Sequence, residues 1–291
     1  MREEDRIRKK FQKLYEMYNR PEFLDSDPLF LCYLYTSDED REFVGLLSSL
    51  FAYGNVASIR GFLSRLLSPM GKNPKAFLLS EGTKGWKGKL GPYRFQTEED
   101  TLLFLEALRK AYGETRSQGF DFLEPWFKPL EEGAGGLEKR IGGFQTRLRN
   151  TLSSLSKKRF SYGLNFLVGS GGENSAYKRY CMFLRWMVRK ESPDLGLYKE
   201  IKPSELLFPL DTHINRLGEI LNASSRKTPD LKKAKEITDF FRRMFPEDPL
   251  RMDFPLSRLG ILKKCRMRYE KKLCETCELN PICKVYREKK V

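Results

Sequence analysis

The sequence predicts an all-α protein. Two observations carry this: nearly every apolar run repeats at three- and four-residue steps, and alternating β-branched runs are almost absent. Glycine- and proline-rich turn clusters separate the helical stretches and hold each to globular length. The N-terminus, MREEDRIRKKFQK, is a charged helical pattern with no apolar centre, so no secretory signal is expected. Residues 42–51 (EFVGLLSSLF) form the first strongly apolar helix, followed by 59–67, which the Ser68-Pro69-Met70-Gly71 cluster closes. Gly91-Pro92 precedes a helix over 101–112, and the glycines at 133–136 precede one over 137–155. An apolar segment at 162–168 leads into a glycine-rich break at 169–172 and a helix over 176–188. Pro209 is expected to stop a preceding helix, and helices over 212–221 and 231–244 follow it.

At 291 residues the chain has room for one large domain or two modest ones, each with its own core. No apolar stretch reaches the roughly 18 residues a membrane span needs, so no membrane partner is expected. The formal charge is +15, which points to an acidic partner, because neutralising phosphates releases counterions. From residue 251 to the end there are 12 Lys/Arg against 5 Asp/Glu. A solvated surface explains most such runs. This one surrounds a cysteine cluster, and that favours DNA or RNA.

The cluster is Cys265, Cys274, Cys277 and Cys283, spaced C-x8-C-x2-C-x5-C. Four thiols in so short a stretch close around a metal centre or form two disulfides. Without export, disulfides are disfavoured and metal or iron–sulfur ligation is preferred, zinc being one choice for four cysteines. The protein is accordingly expected in the cytoplasm, associated with the nucleoid. Cys32 and Cys181 lie on apolar faces and are expected to be buried as small hydrophobes.

Two further residues have chemical potential. Asp211, in F-P-L-D-T-H-I-N-R (208–216), stands where an N-cap belongs before the 212–221 helix. It either caps that helix and nothing more, or points into a cleft where a carboxylate stabilises an oxocarbenium ion. Lys178 stands on the first turns of the helix after the glycine-rich break. It is either a surface charge or, projecting into an apolar cleft, an amine nucleophile. His213 is the only histidine, so no histidine triad or multi-histidine metal site can be built.

The order of glycine-rich hairpin, lysine, Pro-Leu-Asp-Thr-His-Ile and four-cysteine loop resembles the helix-hairpin-helix DNA glycosylases of the endonuclease III type. Their pattern is L-P-G-V-G-R-K-T, V-D-T-H and C-x6-C-x2-C-x5-C. Here 174–179 (NSAYKR) falls on the hairpin stretch, and the last three cysteines keep the family spacing. Upstream, Leu46-Leu47-Ser48-Ser49 and Gly91-Pro92-Tyr93-Arg94-Phe95 resemble the family's L-L-S-A and G-L-Y-N-S-K segments. The first cysteine gap is eight residues, and Lys178 and Asp211 are 33 positions apart, almost twice the usual interval. The best match is to an uncharacterised bacterial branch.

The resemblance implies two helical lobes with a DNA-binding cleft between them. One lobe would be a helical barrel over 41–190 with the helix-hairpin-helix. The other would combine 1–40 with 191–291 and carry a [4Fe–4S] loop at 262–287. It implies a monomeric base-excision enzyme acting on duplex DNA with a damaged, oxidised base, flipped out for attack. Lys178 would be the Schiff-base nucleophile of an associated AP lyase, with Asp211 balancing charge on the sugar. The alternatives are a monofunctional enzyme in which Asp211 activates water, a non-catalytic iron–sulfur DNA binder, and a zinc-stapled scaffold for protein partners. Phosphate contacts are expected from Gly171, Gly172 and Arg179 at the hairpin and from Arg266, Arg268, Lys271 and Lys272 at the cysteine loop. Tyr53 and Asn55 would fill the gap in the duplex, and Tyr93 and Arg94 would touch the opposite strand.

Overall fold

The structure, a computed structural model, describes residues 3–133, 135–156, 158–169 and 175–289. Helices dominate it, and a single antiparallel bridge, Tyr93 to Gln96, is the only strand-like pairing among the described residues. The all-α expectation holds. In chain order the α-helices are α1 (Glu3–Tyr18), α2 (Asp38–Leu50), α3 (Val56–Leu67), α4 (Pro74–Glu81), α5 (Glu98–Ser117), α6 (Leu137–Leu155) and α7 (Tyr162–Val168). They continue as α8 (Lys178–Val188), α9 (Thr212–Ile220), α10 (Leu231–Met244), α11 (Asp253–Ile261), α12 (Lys271–Cys274) and α13 (Lys284–Glu288). No helix among the described residues is long and apolar enough to cross a membrane.

Local chemistry sets most boundaries. Asp38, Glu39 and Asp40 open α2 with negative charge against the positive end of the helix dipole. Asn55 caps α3, Ser161 caps α7, Asp211 caps α9 and Asp230 caps α10, each accepting a main-chain N–H from the first turn. Thr97 and Asp100 form a reciprocal capping box on α5. No helix precedes Pro209. A 3-10 turn over Pro203–Glu205 gives way to irregular chain, which the Phe208 N–H anchors to Thr238 Oγ1 at 3.0 Å.

The chain forms two compact units, 28–172 and 1–27 with 173–291. These boundaries differ from the expected 41–190 against 1–40 plus 191–291. The 3-10 segment Pro28–Leu34 packs on α2 and so joins the first unit. Helix α8 belongs with the C-terminal half, whose acidic residues hold its arginines. The 28–172 unit packs α2 on α4, α4 on α5, α5 on α6, and α7 across α5 and α6. Phe43, Leu46, Phe62, Phe104, Leu108, Phe144 and Leu148 are almost fully buried between them. In the other unit α11 is central, with α1 on one side and α9 on another. Its core includes Phe11, Trp186, Phe208, Phe241 and Phe254. Cys32 and Cys181 are wholly buried, as expected.

Helices α7 and α8, expected to flank the hairpin, are both present but belong to different units. Gly171 and Gly172, expected to meet phosphate, lie outside the described residues.

Candidate functional site

Lys178 and Asp211 both lie in the unit 1–27 with 173–291, not on separate lobes. Lys178 is the first residue of α8 and is half-buried. The chain enters α8 through Tyr177, whose φ of 48° is left-handed, an unusual entry for a residue with a side chain. The Lys178 amine makes no hydrogen bond or ion pair with the described residues. Asp211 is half-buried too, and its Oδ1 accepts the Ile214 N–H at 2.6 Å. The capping role is therefore real, and it occupies one carboxylate oxygen. His213 lies flat against α11, where a Cβ on Gly260 would overlap the imidazole ring. That contact fixes the first turn of α9 on α11.

Behind these two residues lies a buried ion network that the sequence reading missed. Arg185 donates from Nη1 to Asp253 Oδ2 at 2.5 Å and from Nε to Asp194 Oδ1 at 3.1 Å. Arg189 donates to Asp194 and, from Nη2, to Asp248 Oδ2 at 2.8 Å. Arg258 reaches Asp27 Oδ2 at 3.1 Å, Ser26 Oγ at 2.7 Å and the Phe23 carbonyl at 3.1 Å. All three guanidiniums are almost wholly buried, as are Asp27, Asp194 and Asp253. Burial pulls Arg185 toward deprotonation, but Asp194, Asp253 and Asp27 outweigh it and the net shift is upward. Burial pushes Asp253 up to about 6 against the pull of Arg185, with the negative charges of Asp211 and Asp194 adding to the rise.

This network links the two candidate residues. Lys178 and Arg185 are seven positions apart on α8, two turns, so they share one face with about 10 Å of rise between them. Arg185 holds Asp253 at the start of α11, and Asp253 and Arg258 both feel the charge of Asp211. The face of α8 that carries Lys178 thus continues, through Arg185 and Asp253, to the N-terminus of α9. No direct bond joins Lys178 to Asp211 among the described residues.

The four loop cysteines are free thiols. Burial raises the pKa of Cys265, Cys277 and Cys283, and neighbouring thiols of the set push the same way. Main-chain N–H groups oppose the rise, from Met267 to Cys265, from Leu279 to Cys277, and from Val285 and Tyr286 to Cys283. The Glu270 N–H donates to Cys274 Sγ at 3.4 Å. Among the described residues no three His, Cys, Asp or Glu side chains stand close enough to hold a single metal ion. The donor set of four thiols with N–H groups aimed at sulfur fits a thiolate-held group. The loop is tied down by the Cys265 N–H to the Leu259 carbonyl at 2.8 Å and by Lys10 Nζ to Glu278 Oε2 at 3.1 Å. Arg266, Arg268, Lys271 and Lys272 are exposed on it, and Arg179 is half-buried on α8.

In the 28–172 unit, Tyr53 and Asn55, expected to fill the gap in the duplex, and Tyr93 and Arg94, expected on the opposite strand, all have partners within the fold. Tyr93 is buried and donates its O–H to the Tyr53 carbonyl at 2.8 Å. The Tyr53 O–H is bonded to Gln96 Oε1, and its ring packs on Phe95 and Phe166. Asn55 spends its carbonyl on the Ser58 N–H at 2.8 Å. Arg94 is exposed, with φ 52°, and folds over Gly54, where any side chain would collide with the guanidinium. The same unit buries a lysine that the sequence did not single out. Lys75 Nζ donates to Glu39 Oε2 at 2.8 Å and stands 4.8 Å over the Tyr112 ring, beside a cavity of about 280 Å³.

No curated protein and no solved structure matches the chain. A protein family does match over residues 27–262, a span that takes in Lys178, Asp211 and the whole buried ion network and stops short of Cys265. It covers well over half of the sequence, and the chain belongs to this family, the proteins of unknown function DUF2400.

Proposed function

We propose that the protein is a DNA glycosylase with associated AP-lyase activity, excising an oxidised base from duplex DNA. The observation that carries this reading is the shared scaffold of Lys178 and Asp211. One face of α8 bears an amine without a partner among the described residues, and the same face continues through Arg185 and Asp253 to the helix start that holds the carboxylate. A cationic surface around the cysteine loop supports a polyanionic partner.

In this reading the Lys178 amine gives up its ammonium proton to solvent and donates its electron pair to the sugar C1′. The N-glycosidic bond breaks, and its electron pair leaves with the base, which takes up a proton. Asp211, with one oxygen left after capping α9, balances the positive charge that grows on the sugar. The attached nitrogen then gives one proton to solvent and forms the C=N bond as the C1′–O4′ bond breaks and O4′ takes up a proton, leaving a protonated C1′ Schiff base. Removal of a C2′ proton expels the 3′-phosphate and nicks the strand. Cys265, Cys274, Cys277 and Cys283 would hold a [4Fe–4S] cluster, zinc being the alternative, as a fixed crosslink for the basic loop that supplies no group to the reaction.

The test is borohydride trapping on duplexes carrying a panel of oxidised bases, with iron and visible absorbance measured on the same preparations. A covalent adduct lost in Lys178→Ala supports the lyase reading. Base release without an adduct, lost only in Asp211→Asn, identifies the water-activating alternative. Salt-sensitive binding with no base released from any duplex would leave a non-catalytic DNA binder and end the proposal.

A further inference from the structure

The 28–172 unit carries an exposed aromatic face that the proposed chemistry does not use. Tyr162, at the start of α7, is 70 % exposed, and Phe95 is 42 % exposed. Their ring centroids are 5.6 Å apart, edge to face. Phe166 joins Phe95 at 4.8 Å, and Tyr53 lies parallel to Phe95 with an interplanar angle of 17°. These four rings come from three separate segments, the loop after α2, the 93–96 turn and α7.

The mounting is rigid. Gln96 is buried and works as a clamp, with Oε1 accepting the Tyr53 O–H and Nε2 donating to the Gly163 carbonyl at 2.6 Å. Gly163 lets α7 approach so closely that a Cβ there would overlap the Phe95 carbonyl oxygen. Ser161, the α7 cap, donates its hydroxyl to Asp100 Oδ1 at 2.6 Å. An aromatic face held this firmly yet left open to water is costly unless something covers it.

Charge indicates what covers it. The Arg94 guanidinium stands 5.6 Å from the Phe95 centroid. Arg149 is tied to α7 through Asn165 Oδ1 at 3.0 Å and lies 4.9 Å over Phe160. Lys158 and Arg159 are exposed in the segment that leads into α7. The adjacent acids are already engaged: Glu99 pairs with Lys158 at 3.1 Å, and Asp100 holds Ser161 and the Thr97 N–H. Open π-faces edged by cations suit unpaired bases stacked on the rings with their phosphates on the arginines. A protein partner seated on an apolar face gains little from that cationic edge.

We propose that the aromatic face of Tyr162, Phe95, Tyr53 and Phe166 is a stacking platform for unpaired bases of a DNA strand, with Arg94 and Arg149 serving its phosphates. The site lies in the unit that does not contain Lys178, and it needs no base excision to operate.

The experiment measures fluorescence anisotropy of two labelled 12-nucleotide strands against the full-length protein. One is oligo-dT, and the other has the same phosphates on tetrahydrofuran abasic analogues, which lack the C1′ oxygen and cannot form a Schiff base. The wild type should bind oligo-dT at least about fivefold more tightly, the low end of one base stacked on an aromatic ring. Tyr162→Ala should remove that preference while leaving the abasic strand unaffected, and Tyr162→Phe should keep it. Because Tyr162 is largely exposed, its truncation leaves the core intact. Equal binding of both strands by the wild type, or undiminished oligo-dT binding by Tyr162→Ala, would overturn the proposal. The readout is binding of an undamaged strand, so a failed glycosylase reading would not sink this one.

Discussion

Asp253 makes the stability of the protein depend on pH in a direction opposite to that of an ordinary salt-bridged carboxylate. Burial raises its pKa to about 6 in the folded protein from an ordinary 3.8. Because the folded pKa is raised, the native state keeps a proton that the unfolded chain has already released. The contribution is fully present below pH 3.8 and is lost as the pH rises through 6. At about 1.36 kcal/mol for each pKa step of one, the whole loss is about 3 kcal/mol. About 2 kcal/mol of that falls between pH 4.5 and pH 7. Asp253 is completely buried, so solvent screening does not reduce it. Asp253→Asn keeps the shape and removes the titration. Urea unfolding of both proteins across this range should show the variant gaining about 2 kcal/mol on the wild type as the pH rises. Parallel stability curves would refute the argument, because linkage allows no other outcome if the native carboxyl holds its proton to pH 6.

Asp211 should separate its two roles by substitution. Asp211→Ala loses the α9 cap and should cost about 1 kcal/mol in thermal or urea unfolding, whereas Asp211→Asn caps equally well and should be near neutral. If the carboxylate also acts on the sugar, Asp211→Asn loses excision at unchanged stability. The contact between His213 and Gly260 predicts that Gly260→Ala destabilises by about 1–3 kcal/mol, since the added methyl overlaps the imidazole. Adding His213→Ala should recover most of that loss, and additive losses in urea unfolding would show that the two positions do not meet.

What could be read from the sequence was what short-range physics controls. The spans of α6 and α10 follow from periodicity to the residue, and Asp211 follows from capping preference. Pro209 misled because a proline ends a helix only where one exists, and here irregular chain runs along α10 instead. The short helix α11 is buried on most sides and lacks a one-sided apolar stripe, and the two-turn α4 buries only Pro74, Lys75 and Leu78, too few for a period to show. Tyr53 looked like a free loop aromatic because its partners Phe95, Gln96 and Phe166 are dozens of residues away, and Tyr93 because Phe51, Tyr53 and Phe62 lie as far upstream. The buried arginines did leave a signal. In F-L-R-W-M-V-R, Arg185 and Arg189 occupy positions four apart in a stretch that is otherwise apolar all round. Charges there must be paired or functional.

That network explains why an ion cluster would be kept in a core at all. Replacing buried ion pairs by well-packed apolar side chains is often neutral or stabilising, so stability alone does not select them. Directional bonds do something that apolar packing cannot. Arg185 and Arg189 fix the rotation of α8 about its axis, because their planar forks accept carboxylates only from the directions of Asp194, Asp248 and Asp253. Fixing that rotation fixes the direction in which Lys178 leaves the same helix face two turns earlier. Three guanidiniums, Arg185, Arg189 and Arg258, face four carboxylates, Asp27, Asp194, Asp248 and Asp253, leaving one negative charge in excess. The excess is relieved where burial is complete, at Asp194 and Asp253, whose pKa values both rise. Asp211 adds a further negative charge at the edge of this cluster. In the proposed reaction the cationic sugar would meet this negative edge.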